Sequence, residues 1–161
     1  MERIFSQTFG VVGAILEKDG DILLVRESGR KRADYGKWSH PAGWIDVGED
    51  PLEVVKREVL EESGYDFTPT HLLGVYSLVR GDIAEAIGGT PHAIKLIFIG
   101  KIAIRQTELH DDVTETKWFS PDEIEAMNQH TLRDEDIKQM IKDYSSGQKF
   151  PLSVLTHTVS S

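Results

Sequence analysis

The chain contains no cysteine, so a disulfide framework and a catalytic or metal-binding thiolate are both excluded. It has no apolar run close to the roughly 20 residues that a membrane span needs. The first ten residues, MERIFSQTFG, show no basic region followed by an apolar stretch, so we expect no cleaved signal and a cytoplasmic protein. The six histidines show neither HxH nor HExxH spacing, which argues against a zinc site.

Positive charge is also scarce, with 18 lysines and arginines against 27 acidic residues and a net charge of −9. Long nucleic acids bind to positive protein faces, so we expect no such partner. A small phosphorylated substrate remains compatible with this charge, because a metal ion supplies positive charge locally. The sequence contains neither a P-loop nor a dinucleotide-binding glycine fingerprint after a strand.

The composition is that of an ordinary globular protein, with 39% hydrophobic and 28% charged residues among 161. We find no internal repeat, low-complexity segment or interdomain linker. The sequence therefore predicts a single domain over residues 1–161, in which residues 120–161 form a C-terminal helical part and tail.

The most informative stretch begins with a predicted helix. Asp50 is suited to the N-cap, Pro51 to the first helical position, and Gly64 to the left-handed position that ends a helix. The predicted apolar stripe of this helix consists of Leu52, Val55 and Val59. The helix is therefore expected to pack one face on the core.

Glu58, Glu61 and Glu62 stand at i, i+3 and i+4, so they project from one side of this helix. Like charges at this spacing weaken an isolated helix by roughly 0.2–0.5 kcal/mol per pair, and Lys56 and Arg57 point elsewhere. Clustered carboxylate oxygens without a counter-ion are suited to Mg²⁺ or Mn²⁺. The alternative is an amphipathic helix with a solvated acidic face.

A pattern of residues at fixed spacing extends over this helix and the segment before it. The positions concerned are Gly43, Glu49, Arg57, Glu58, Val59, Glu61, Glu62 and Gly64. This pattern resembles the signature of the Nudix hydrolases, except that Tyr65 stands where the family usually has an aliphatic residue. A weaker resemblance to Nudix domains extends from about Gly10 to Phe119.

The resemblance implies an α/β (α+β) fold, a Nudix-type α/β/α sandwich with a mixed β-sheet. It also implies a divalent-metal-dependent hydrolase that cleaves the diphosphate linkage of a nucleoside diphosphate joined to another group, X. The implied ligands of Mg²⁺ or Mn²⁺ are Glu58, Glu61, Glu62 and the carbonyl of Ala42. The implied supporting residues are Gly43, Gly64 and an orienting ion pair of Glu49 with Arg57.

The general base is left open, because family members use either a glutamate of the signature or an acid on a distant loop. The loop before the last predicted strand offers Asp111, Asp112 and Glu115, each of which has a solvated surface acid as its alternative. We interpret Glu58 and Glu61 as catalytic metal ligands, and Glu58 as the one that also orients the water. Glu115 or Asp112 is expected to assist.

Two side chains are candidates for substrate contact. Arg26 is a charge in an otherwise apolar predicted strand, and it either faces solvent or contacts a phosphate, which the resemblance favours. Trp38 either packs in the core or stacks on a base. The basic run at residues 30–32 is either solvated or a lip that attracts polyphosphate. Lys95 is predicted near the exposed start of its strand, with a position facing the cleft as the alternative.

The remaining pattern predicts further elements. Strands are predicted over residues 8–18, 21–27, 65–67, 71–80, 93–103 and 115–119, with a hairpin turn at Asp19–Gly20. Helices are predicted over residues 121–128, after a capping box at Ser120, and 133–144, with Ile137, Met140 and Ile141 as the apolar stripe. Residues 81–90 are predicted to be a loop. The apolar tail at residues 149–156 predicts either a homodimer contact or docking on the chain itself.

Two other classes of function are compatible with parts of the sequence. A catalytically silent Nudix fold used as a nucleotide sensor is disfavoured by the intact acids of Arg57–Glu62. A structural Ca²⁺-binding module is disfavoured because the chain lacks the DxDxDG loop pattern. The expected partners are therefore a small nucleotide-derived substrate and a second copy of the chain, with no long nucleic acid and no membrane.

Overall fold

The computed structural model describes residues 8–28, 33–104 and 113–161. Its strands are β1 (Thr8–Ala14), β2 (Glu17–Lys18), β3 (Asp21–Glu27), β4 (Trp38–Ser39), β5 (Ala42–Trp44), β6 (Tyr65–Val79), β7 (His92–Ile104), β8 (Val113–Phe119) and β9 (Phe150–Pro151). Its α-helices are α1 (Pro51–Ser63), α2 (Ala84–Ile87), α3 (Pro121–Glu125) and α4 (Asp136–Ser145). None of the helices in these ranges is long and apolar enough to cross a membrane.

The strands form two sheets. The larger sheet has the order β5-β1-β7-β6-β9, and its β1–β7 pair is parallel while the other pairs are antiparallel. In the smaller sheet β3 pairs with β2, β4 and β8. The predicted α+β fold with a mixed sheet is therefore confirmed, and β7 is central in the larger sheet, as its apolar β-branched sequence indicated.

Helix α1 has the ends that the sequence predicted. The side chain of Asp50 accepts a hydrogen bond from the Leu52 amide at 3.0 Å, and Gly64 adopts a left-handed conformation with φ of 77°. Val54 is buried in addition to the predicted Val55 and Val59. This face packs on a core cluster that includes Val12, Leu23, Phe67 and Phe98. One face of α1 is therefore anchored, which fixes where its acidic side chains lie.

The C-terminal helices pack on a second core cluster. Ile137, Met140 and Ile141 are buried as predicted, and the capping box of Ser120 with Glu123 is formed. Helix α4 begins three residues later than expected, because the backbone at residues 132–133 runs alongside β4. Helix α3 ends earlier than expected, where the chain turns at residues 126–131.

Several strand boundaries differ from the prediction. The two segments expected at residues 65–67 and 71–80 are one continuous strand, β6, because a register shift near Pro69 accommodates the missing N–H of proline. The first predicted strand stops at Ala14, and β2 continues into the predicted hairpin, in which Asp19 and Gly20 both have positive φ. The expected loop at residues 81–90 contains a 3₁₀ turn and α2.

The apolar tail docks on its own chain. Strand β9 pairs with β6, with Pro151 opposite His71 and Phe150 opposite Leu72. Leu152 and Leu155, which follow β9, pack partly on the first core cluster. Docking of the tail on its own chain, one of the two predicted alternatives, is therefore present in the structure.

Candidate active site

A cleft of about 830 Å³ lies where β1, β5 and α1 meet β7 and the chain just before α4. One wall contains the predicted site residues Ala42, Gly43, Glu58 and Glu62. The far wall contains Lys95, for which a position facing the cleft was the alternative prediction, and three charged residues that were not predicted as site residues, namely Arg80, Arg133 and Asp134. The cleft therefore joins the Nudix-like signature to a second, charged surface.

Gly43 is in close contact with Glu58. A Cβ built on Gly43 would overlap the Glu58 side chain, lying within 2.5 Å of its Cγ and Oε1 atoms. Only glycine leaves this space open, so the β5 backbone can lie directly over the carboxylate. This close approach fixes the position of Glu58 relative to the Ala42–Gly43 segment.

The negative charge of Glu58 is unfavourable in the folded protein, where the side chain is only 17% exposed. Burial raises the pKa of its carboxyl above the ordinary value, and the negative charge of Glu61 raises it further. The Arg57 guanidinium opposes this shift from 3.4 Å. A divalent cation beside Glu58 and Glu61 would relieve their repulsion, so the residues present fit a metal site.

Glu62 is hydrogen-bonded to the β5 backbone, because the Ala42 amide donates to Glu62 Oε2 at 3.1 Å. The third helix acid, Glu61, is partly buried and follows Glu58 by one turn. Across the described ranges, no three acid or histidine side chains converge closely enough to form a ligand group. The carboxylates of Glu58 and Glu62 are instead hydrogen-bonded to Arg57 and to the Ala42 amide.

The structure contains the Glu49–Arg57 ion pair that the resemblance implied. Arg57 Nη1 donates to Glu49 Oε1 at 2.5 Å, and the Asp46 amide donates to Glu49 Oε2 at 3.0 Å. The hydrogen bond from Arg57 holds the pKa of Glu49 below its ordinary value, and the pair raises the pKa of Arg57. The loop between β5 and α1 is thereby held against the helix.

Arg26, Trp38 and Glu115 lie outside the cleft lining. The antiparallel pairing of β3 with β8 places Arg26 opposite Glu115, and their side chains form an ion pair at 3.2 Å. Arg26 also lies 5.7 Å from the ring of Trp38, which packs edge-to-face on Phe119. These residues therefore contact one another on the smaller sheet. Asp112 and the basic run at residues 30–32 lie outside the described residues.

The prediction that Lys95 lies at the exposed start of its strand is wrong. Lys95 is 3% exposed, and its ammonium lies 2.8 Å from Asp134 and 3.1 Å from Asp136. Arg80 is also buried and pairs with Asp134 at 2.8 Å and with Asp34 at 2.9 Å. A lysine in an otherwise apolar central strand was the signal for this cluster, but the sequence did not indicate its partners.

Asp134 is the shared anion of this cluster. Burial raises the pKa of its carboxyl, but the positive charges of Arg133 and Lys95 outweigh burial and hold the pKa far below its ordinary value. Asp134 is therefore ionised, and the far wall of the cleft is a buried network of alternating charges.

The cleft also contains an aromatic pair that the sequence analysis did not identify. The rings of Phe9 and Trp44 stack at 4.6 Å with an angle of 24° between their planes, and Trp44 is 47% exposed. Both residues line the cleft. Trp44, immediately after Gly43, therefore presents an aromatic surface in the cleft, whereas Trp38 does not line it.

Gly43→Ala is expected to lower kcat by about a hundredfold, because the added methyl group must displace Glu58, which the resemblance implies is catalytic, and a shift of about 1 Å at a catalytic group has effects of this size. Steady-state kinetics at saturating metal will measure the change. Gly81→Ala is the matched control, because a Cβ there meets nothing within 4 Å and should leave kcat unchanged. Wild-type activity in Gly43→Ala would show that the close approach is not needed.

Comparisons with known proteins agree with this geometry. The NUDIX domain model matches residues 6–144. The phosphatase NudJ of Escherichia coli (strain K12) is 29% identical over 145 residues, covering 89% of this chain and 88% of NudJ. A solved NUDIX hydrolase from Nitrosomonas europaea is 32% identical with a TM-score of 0.82, covering 96% of this chain and 100% of that one.

A second solved structure, the MutT protein from Methanosarcina mazei Go1, is 24% identical with a TM-score of 0.72, covering 90% of this chain and 98% of that one. This likeness shows the shared fold. Because the domain model spans most of the chain and three signature residues, Gly43, Glu58 and Glu62, line one cleft, the chain belongs to the Nudix hydrolase family and is a Nudix pyrophosphohydrolase.

Proposed function

We propose that the protein uses Mg²⁺ or Mn²⁺ to hydrolyse the diphosphate linkage of a small nucleotide-derived substrate in the cleft between α1 and the far wall. The observation that supports this most directly is the close contact of Gly43 with Glu58, which keeps a helix carboxylate against the β5 backbone. The similar phosphatase NudJ supports phosphorus-containing substrates. The products would be a nucleoside monophosphate, or another phosphate, and a phosphorylated group X.

The proposed metal-binding atoms are the carboxylates of Glu58, Glu61 and Glu62 and the carbonyl of Ala42. A divalent ion held by these atoms would supply positive charge for the diphosphate and would make a water molecule more acidic. Glu58 lies beneath Gly43 and orients the attacking water through its carboxylate. The Arg57–Glu49 pair holds the loop before α1, and so keeps Gly43 in place over Glu58.

Two side chains on opposite walls of the cleft, Trp44 and Arg133, are proposed to bind the rest of the substrate. Trp44 presents an exposed ring that a planar group can stack on. The side chain of Arg133 is 34% exposed, and its Nε lies 3.4 Å from Asp34. An arginine held in this way is suited to bidentate contact with a phosphate or carboxylate.

We propose that Glu115 does not act as the assisting base, because the residue pairs with Arg26 and does not line the cleft. We infer that Glu115→Gln leaves kcat within about threefold of the wild type, whereas a true base contributes roughly 10²–10⁴-fold. Asp112→Asn, compared in the same pH–rate profile, tests the other acid. A hundredfold fall with loss of the acidic limb in either variant would identify the base.

The deciding experiment is a turnover assay over a panel of nucleoside diphosphates linked to sugars, nucleosides, cofactors or phosphate. We expect hydrolysis with Mg²⁺, loss of activity with a chelator, and recovery when Mg²⁺ or Mn²⁺ is added back. Activity that survives chelation would contradict the metal-dependent mechanism. Tight nucleotide binding without turnover on any substrate would instead favour the sensor function.

The homodimer and the cytoplasmic location stay predictions. Phe150 and Val154 remain exposed although the tail docks on β6, and an apolar surface of this kind supports a contact with a second copy.

A further inference from the structure

We propose that His40 is a positioning residue for the metal site, whose imidazole fixes the Pro41–Ala42 peptide and, through it, the Ala42 carbonyl and the Glu62 carboxylate. This inference rests on the proposed function, because it concerns atoms that are proposed to bind the divalent ion. His40 lies between β4 and β5 and is not part of the Nudix-like signature.

The His40 ring occupies a slot beside β1 that exists only because residue 13 is glycine. His40 is 1% exposed, and a Cβ built on Gly13 would overlap its Cε1 atom and lie 2.6 Å from Nδ1. The ring therefore lies directly against the β1 backbone and has little freedom to move. A side chain confined in this way can hold its hydrogen-bond partner in a fixed position.

The partner of the ring is the carbonyl oxygen of Pro41. His40 Nδ1 lies 3.0 Å from this oxygen, which also accepts a hydrogen bond from the Ala14 amide at 3.1 Å. A carbonyl can only accept, so Nδ1 carries the hydrogen and donates it. Two donors from different strands therefore fix the direction of the Pro41 carbonyl.

The other end of the same peptide unit contacts the acid helix. The Ala42 amide donates to Glu62 Oε2 at 3.1 Å. Because a peptide unit is planar, rotating it would disturb the contacts of the Pro41 carbonyl and of the Ala42 amide together. By fixing this rigid peptide unit, His40 orients the Glu62 carboxylate that accepts from it. The same unit sets the backbone direction from which the Ala42 carbonyl projects.

The second ring nitrogen indicates that stability alone does not explain this histidine. His40 Nε2 is buried and has no hydrogen-bond partner among the residues that the structure describes. An unsatisfied buried nitrogen opposes folding, and an apolar side chain of similar size would avoid it. The donor at Nδ1 is the feature that an apolar residue would lack.

The test measures binding of Mn²⁺ to the full chain by electron paramagnetic resonance, together with Tm in the absence of metal. His40→Leu removes the donor and keeps an apolar volume, and we expect Mn²⁺ affinity to fall about 10- to 100-fold while Tm is unchanged or higher. His40→Asn places an amide N–H near the position of Nδ1, and we expect it to retain affinity within about threefold. A purely structural role would lower Tm and leave Mn²⁺ affinity unchanged.

Two further variants keep the test decisive. Gly13→Ala should displace the ring and weaken Mn²⁺ binding even though His40 is present, which covers the case in which His40→Leu fails to fold. His71→Leu is the control, because His71 Nδ1 contacts Thr70 and the residue does not line the cleft. Its Mn²⁺ affinity should equal that of the wild type.

The outcomes separate this inference from the proposed function. Wild-type Mn²⁺ affinity in both His40→Leu and Gly13→Ala would overturn the positioning role and leave the proposed function intact. Equal weakening in His40→Asn and His40→Leu would also overturn it, since the donor would then not matter. A wild-type chain that binds no Mn²⁺ would overturn the proposed function and this inference together.

Discussion

Glu58→Gln is expected to lower kcat by about a hundredfold or more at saturating Mg²⁺ while Tm stays unchanged or rises. The amide keeps the size of the side chain beneath Gly43 but removes the negative charge that the proposed metal site would need. The charge is unfavourable in the folded protein, because burial and the neighbouring Glu61 raise the pKa of Glu58. A neutral side chain therefore relieves a destabilising interaction while it removes function.

Steady-state kinetics and thermal unfolding of the same preparation separate these two effects. Glu53→Gln is the matched control, because Glu53 lies on the exposed side of α1 and pairs with Lys56 at 2.7 Å. It should leave kcat within about twofold, because Glu53 does not line the cleft. Tm should also change little, since exposed pairs contribute roughly 0–1 kcal/mol to stability. Near wild-type kcat in Glu58→Gln would show that the reaction does not depend on this carboxylate.

Asp134→Asn is expected to lower the free energy of unfolding by about 3–5 kcal/mol at pH 7. Asp134 accepts hydrogen bonds from Lys95 and Arg80, both at 2.8 Å, and all three residues are buried. The substitution leaves those cations with less negative charge in a poorly solvated site, which is the costly way to disrupt a buried ion pair. Urea unfolding of wild type and variant will measure the difference.

Glu125→Gln provides the control for this measurement. Glu125 pairs with Lys142 at 3.4 Å, and both side chains are more than half exposed. Solvent screens such a pair, so its removal should change the free energy of unfolding by less than about 1 kcal/mol. If Asp134→Asn also changed the free energy of unfolding by less than about 1 kcal/mol, the buried network would not contribute to stability.

The pH dependence of stability is an independent test of the lowered pKa of Asp134. Its pKa in the folded protein lies below that of an ordinary aspartate, which is about 3.9 when unfolded. The unfolded chain therefore takes up a proton first as the pH falls, so the contribution of Asp134 is complete above about pH 5 and declines below about pH 4. Stability should fall less steeply with acid in Asp134→Asn. Parallel curves for variant and wild type would contradict the depressed pKa.

Features that depend on neighbouring residues in the chain could be predicted from the sequence. The ends of α1 at Asp50 and Gly64, and the hairpin at Asp19–Gly20, appear where expected because caps and tight turns are formed within a few residues. The spacing of the helix acids likewise placed Glu58 and Glu62 on the same wall of the cleft.

Contacts between segments that are distant in the chain could not be predicted from the sequence. The sequence left Arg26 as either a solvated charge or a phosphate ligand, and the resemblance favoured the ligand. Only the register of β3 against β8 shows that Arg26 pairs with Glu115. Whether Trp38 packs in the core or borders the cleft likewise depends on sheet order, and it is Trp44 of β5 that lines the cleft, while Trp38 packs on Phe119. Register and sheet order are set by the packing of the whole domain.

The sequence by itself determined the family, the acid helix and the reaction class, because these depend on a short pattern of residues whose spacing carries the chemistry. The tertiary structure alone decided what surrounds those acids. Lys95 meets Asp134 across 39 positions of the chain, and Gly13 opens the slot for His40, through packing that no local periodicity encodes. In the folded domain burial lowers the pKa of His40, and neighbouring positive charges lower that of Asp134, because desolvation and charge contacts exist only once the segments have come together.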